Sequence, residues 1–89
     1  MDSISNVTLI KFGADWCGPC QAMKPEMDKV LKEMDGINFV DVNVDQDPDK
    51  AVQYKIRSIP ALILEKDGKI VRTLFGKVSA ERIKEFISE

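Results

Sequence analysis

Histidine is absent from this 89-residue sequence, and cysteine occurs only twice, at Cys17 and Cys20. A zinc site usually needs four ligands, so a metal here would require a second chain or carboxylates. No long block of one charge sign appears: 13 basic and 15 acidic residues are interspersed to a net charge of -2. That leaves no electrostatic case for nucleic acid or an anionic membrane as a partner. Met1 to Asn6 has no basic n-region, and the apolar run that follows is broken by Lys11. Neither a signal peptide nor a transmembrane segment is expected, and a cytoplasmic location is the default. Internal repeats, low-complexity tracts and linkers are also missing.

The length suits one domain over residues 1–89, with a modest core and no room for a second. A composition of 44% hydrophobic and 31% charged residues is that of a soluble globular chain and argues against disorder. In a reducing compartment, paired thiols are more often catalytic or metal-binding than structural.

Val7 to Phe12 reads as a strand ended by Gly13-Ala14-Asp15. Pro19 starts a helical pattern in which Met23, Met27, Val30, Leu31 and Met34 share a face. Pro25 is predicted to kink that helix after its first turn, and Gly36 to stop it. Phe39 to Val44 alternates as a second strand. Asp47 caps a short helix with Pro48 at its first position, running to about Tyr54. Ala61 to Leu64 is a continuous apolar strand, Asp67-Gly68 a hairpin turn, and Ile70 to Phe75 the returning strand. Ser79 caps a last helix, with Val78 and Ile83 placed for a hydrophobic staple. The order β-α-β-α-β-β-α implies a parallel first pair with a right-handed crossover and an antiparallel closing hairpin. The expected fold class is α/β, a four-stranded mixed sheet with helices on both faces.

Two thiols three positions apart at a helix start suit thiol–disulfide exchange. One thiolate attacks a target disulfide, and the second thiol then reaches back to release the reduced target. Unpaired N–H groups and the dipole at a helix N-terminus favour the anion of the first sulfur. Cys17 is accordingly expected to be the exposed nucleophile and Cys20 the more buried resolving thiol. Gly18 permits a tight approach, and Pro19 fixes φ without removing a needed donor. Half of a shared zinc site and an inert buried pair are the other readings of the same spacing.

Trp16-Cys17-Gly18-Pro19-Cys20, Asn43 to Pro48, Arg57-Ser58-Ile59-Pro60-Ala61, Lys66-Asp67-Gly68, Gly76 and Pro25 together resemble the thioredoxin family. The resemblance covers the chain from Val7 onward and implies the thioredoxin fold. It implies a cis Ile59–Pro60 peptide against the cysteine pair, with the Ile59 backbone free to pair with an extended substrate segment. Trp16, Gly18, Pro19, Ile59, Pro60 and Gly76 would form the docking surface around Cys17.

Three departures accompany the resemblance. The family's usual N-terminal strand and helix have no counterpart, so the chain resembles the minimal core of short thioredoxins and glutaredoxins. Gly13 stands where thioredoxins commonly carry tryptophan, which should open space beside the active site. The third is a charge exchange: the family's buried aspartate and neighbouring lysine are replaced at the aligned positions by Lys11 and Asp41. Both interrupt apolar strands, where an isolated charge would cost several kcal/mol and a hydrogen-bonded pair is tolerable. The expectation is a partly buried pair beneath Cys20, with Lys11 favouring the Cys20 thiolate and Asp41, or a water it holds, relaying the proton. The alternative is that both side chains reach water at the strand ends.

The resemblance implies a dithiol electron donor for protein disulfides. Cys17, Cys20, Lys11 and Asp41 would carry the chemistry, with no metal and no cofactor beyond the Cys17–Cys20 disulfide. It would work as a monomer and be re-reduced by a thioredoxin-reductase-type donor. A glutathione-linked, glutaredoxin-like reductase and a thioredoxin-fold binding or assembly subunit are the alternatives.

Overall fold

Seven consecutive residues, Val7–Gly13, form the strand around which everything else is arranged, and all but Thr8 are buried. The computed structural model describes residues 7–88; the segment 1–6, read above for targeting signals, lies outside them. This strand, β1, is followed by two helical segments, α1 (Gly18–Ala22) and α2 (Lys24–Glu33). Then come β2 (Asn38–Asn43), α3 (Pro48–Gln53), the hairpin β3 (Ala61–Lys66) and β4 (Lys69–Phe75), and α4 (Ala80–Ser88). The sheet order is β2-β1-β3-β4, with β1 parallel to β2 and the other pairs antiparallel. The mixed four-stranded sheet and its element order are those read from the sequence.

Period-two alternation divides the core into two layers. Leu9, Leu62 and Leu64 face α2 and α4, packing with Met23, Met27, Val30, Ile83 and Phe86. Ile10, Phe12, Ala61 and Ile63 face the other way, onto Ala51 and Tyr54 at α3. Each fully buried Leu, Ile or Phe contributes about 1.5–3 kcal/mol. Helices therefore cover both faces.

The helix ends follow local chemistry. Pro25 has no N–H to give to Gln21 and its ring crowds that carbonyl, so the expected single kinked helix is two segments meeting at Met23. The Ser79 hydroxyl accepts from the N–H of Arg82, capping α4, and Glu26 on α2 accepts from Ala80 at 2.8 Å. Asp67 and Gly68 both take positive φ (55° and 80°), the geometry of a two-residue hairpin turn.

One expectation needs correction. β2 lies at the sheet edge, and only Val42 of its six residues is buried. The Asp41 side chain is 51% exposed, so the position read as covered is half open. The alternating pattern identified a strand, but could not say that one of its flanks would have no neighbour.

Candidate active site

Topology brings three chain turns to one end of the sheet. Gly13 ends β1 and pairs in register with Asn43, the last residue of β2; the next residue, Val44, donates to the Gly13 carbonyl at 2.9 Å. Because β3 runs antiparallel to β1 with Phe12 opposite Ala61, Pro60 arrives at that same end. Ala61 in turn pairs with Phe75, so Gly76 follows, and its N–H donates to the Pro60 carbonyl at 2.8 Å. Gly76 has φ 95°, a conformation that glycine adopts without strain. The Ile59–Pro60 peptide is cis.

Cys17 is the N-cap of α1, with extended φ and ψ (-90°, 107°). Its Sγ accepts the backbone N–H of Cys20 at 3.2 Å, and Pro19 within the first turn lacks an N–H that would otherwise go unpaired. Cys17 and Cys20 form a disulfide with Cα atoms 5.2 Å apart. Ala14 packs with the two cysteines, and Val44 and Ile59 close the cluster. The expected contrast in exposure is smaller than the sequence reading supposed: Cys17 is 6% exposed and Cys20 1%. Cys17 is a sulfur at the rim of a covered cluster, because the neighbouring turns converge on it.

Beside this cluster Trp16 is 70% exposed, and its indole N–H donates to Asp45 at 2.7 Å. Asp45 is positioned by its own N–H, which donates to the Asn43 side chain at 2.9 Å. Trp16, Val44, Ile56 and Ile59 line a groove of about 210 Å³, with Arg57 at its polar side. Gly18 and Pro19 are exposed on the same turn. The residues read as a docking surface are thus brought to one end of the molecule. Asp45 was not singled out in the sequence, although it lies inside the quoted Asn43 to Pro48 segment; nothing local shows that its partner is an indole 29 residues away.

Beneath Cys20 lies Lys11, 4% exposed, its ammonium 3.8 Å from Asp41. The two are register partners on adjacent strands, which explains why they meet. The pair is asymmetric, with a buried cation and a half-exposed anion. Gly13 stands between Lys11 and the disulfide: a Cβ built on it would lie 3.2 Å from Cys20 Sγ and 3.7 Å from Lys11 Nζ. The pKa of Glu33 is lowered and that of Lys84 raised, chiefly by their mutual hydrogen bond, and that of Tyr54 is raised to about 12 by its hydrogen bond to Glu65. Among the described residues, no group of three or more His, Cys, Asp or Glu side chains could hold a metal.

A disulfide closed across the first turn of a helix, beside a cis-proline loop on a mixed sheet, defines a thioredoxin-fold thiol–disulfide oxidoreductase. Comparison with known proteins agrees. The thioredoxin family model matches residues 2–89. Thioredoxin of Chlamydia trachomatis is 39% identical over 99% of this chain and 87% of its own length. Thioredoxin 1 of Synechococcus elongatus is 45% identical over 79% of this chain and 66% of its own. Fasciola hepatica thioredoxin superposes with a TM-score of 0.88 at 30% identity, covering 97% of this chain and 82% of that one. The chain belongs to the thioredoxin family, and disulfides of proteins are the class of substrate that the family implies. No helix among the described residues is long and apolar enough to cross a membrane.

Proposed function

We propose that the protein is a dithiol electron donor that reduces disulfides of other proteins. The Cys17 thiolate attacks a substrate disulfide, forming a Cys17–substrate bond and releasing one substrate thiolate. The Cys20 thiolate then attacks Cys17 Sγ, closing the intramolecular disulfide and releasing the second. The observation that carries this reading is the Cys20 N–H donated to Cys17 Sγ, since it is the sulfur at the helix start that the helix favours as an anion.

Trp16, Gly18, Pro19, Ile59, Pro60 and Gly76 hold the substrate segment, the Ile59 backbone pairing with it as an added strand would. Lys11 favours the Cys20 thiolate from below, and Asp41, reachable by water, relays the proton. The 89 residues act as one domain, as a monomer in the cytoplasm, with the Cys17–Cys20 pair as the sole redox group. A thioredoxin-reductase-type enzyme returns it to the dithiol.

Insulin reduction followed by turbidity tests the activity, with Cys17→Ser as control. Driving the assay with NADPH and a thioredoxin reductase, or with NADPH, glutathione reductase and glutathione, identifies the donor. Turnover with the first system supports the reading; turnover only with glutathione would replace it.

A further inference from the structure

The missing side chain at Gly13 lets Cys20 and Lys11 come close to the end of β1, where a Cβ would lie 3.2 Å from Cys20 Sγ. A cavity of about 170 Å³ lies below the cysteine pair, with Lys11, Gly13, Cys20, Lys24, Asp15 and Asp41 in its wall. Lys11, although buried, makes no hydrogen bond among the described residues, and its one ion pair, with Asp41, is long at 3.8 Å. The Lys11 ammonium and the Cys20 sulfur therefore border the same small space, on either side of the point where a Gly13 Cβ would sit.

Size and charge restrict what this space accepts. It has room for several molecules of water's size, and it is well below the about 300–1,000 Å³ of sites for drug-sized ligands, which excludes glutathione disulfide. Lys11 and Lys24 are balanced by Asp15 and Asp41 in the wall, so no net charge selects an ion. A small, neutral, hydrogen-bonding solute fits, and the group awaiting it is a sulfur whose thiolate is favoured by the ammonium.

We propose that this cavity admits hydrogen peroxide to Cys20, so that the reduced protein also reduces peroxide, starting at the resolving sulfur. The inference rests on the dithiol reading above. The Cys20 thiolate attacks one peroxide oxygen; the S–O bond forms, the O–O bond breaks, and hydroxide leaves beside Lys11 and takes a proton from solvent to become water. The Cys17 thiolate then attacks the Cys20 sulfenic sulfur, forming the disulfide and expelling the second oxygen as hydroxide, which takes a proton from solvent to become water. Two electrons pass from the dithiol to peroxide, and a dithiol reductant restores the pair.

The test uses the reduced Cys17→Ser protein, in which Cys20 is the one thiol, with dimedone to trap sulfenic acid. Cys20 is expected to react with hydrogen peroxide at least tenfold faster than free cysteine at pH 7. Cumene hydroperoxide, whose bulky tertiary carbon sits directly on the peroxide and is hindered at a residue only 1% exposed, should show no such advantage. Adding Lys11→Met should slow the peroxide reaction at least tenfold. Gly13→Ala, which sets a methyl against the sulfur, should slow peroxide oxidation of the full dithiol protein, read by the fluorescence of its single tryptophan, Trp16, while insulin reduction persists. Cys20 reacting no faster than free cysteine, or equally well with both hydroperoxides, would overturn the proposal. Failure of wild-type insulin reduction is a different result: it would remove the dithiol reading and leave the Cys20 measurement interpretable.

Discussion

The N–H of Cys20 donates to the sulfur of Cys17 across 3.2 Å, so the attacking atom is also the N-cap of the helix that holds its partner. Reactivity and local stability therefore reside in one contact and can be separated by choosing the replacement. Serine is a good N-cap and alanine is not. In the reduced protein, Cys17→Ser should abolish disulfide reduction with stability nearly unchanged. Cys17→Ala should abolish it and cost about 1 kcal/mol more. Urea denaturation of the two variants checks this; equal stabilities would deny the capping role.

Lys11 and Asp41 should respond oppositely to neutralisation. Burial penalises the Lys11 ammonium, whereas Asp41 is half in water and little penalised. Lys11→Met should leave stability unchanged or raise it, since the charge it leaves alone is the half-exposed one. Asp41→Asn leaves the cation without its counter-charge and should destabilise. Denaturant midpoints at pH 7 read both, and a destabilised Lys11→Met protein with an unaffected Asp41→Asn would contradict the asymmetry.

The bond from Ala80 N–H to Glu26 joins the first turns of two helices 54 residues apart in sequence. Removing a carboxylate that accepts a helix-start N–H costs about 0.5–2 kcal/mol, so Glu26→Ala should lower the thermal midpoint by several degrees. Glu26→Gln should recover part of the loss. A Glu26→Ala protein as stable as wild type would show the tie to be inert.

Tyr54 donates to Glu65, and that bond, then burial, then the Glu65 charge, pushes its phenol up to about 12. The folded protein holds this proton more tightly than the unfolded chain, in which a tyrosine titrates near 10. The stability that Tyr54 contributes is complete below about pH 10 and is lost as pH rises through about 12. The stability difference between wild type and Tyr54→Phe should thus shrink from pH 10 upward. A difference constant to pH 11.5 would disprove it.

Much of the fold was legible because the signals are local. Alternation marked β2 and a continuous apolar run β3, Asp67-Gly68 the hairpin, Pro25 the kink and Ser79 the last cap. The Cys17/Cys20 spacing and the exchanged Lys11/Asp41 charges could also be read. Less legible were properties set by neighbours distant in sequence. The open flank of β2 that exposes Asp41, the indole bond to Asp45, the Glu26 tie to Ala80 and the near-complete covering of Cys17 all depend on which chain segments converge, and no window of sequence contains that.

The central claim is that the start of α1 makes Cys17 an anion at neutral pH. The direct measurement is the pH titration of the thiolate absorbance of Cys17 in the Cys20→Ser protein, which keeps the donating backbone N–H and removes the second thiol. The expected midpoint lies at least one unit below the about 8.5 of a free cysteine, with rapid reaction toward a model disulfide at pH 7. A midpoint near that of free cysteine, with no reaction, would contradict the account.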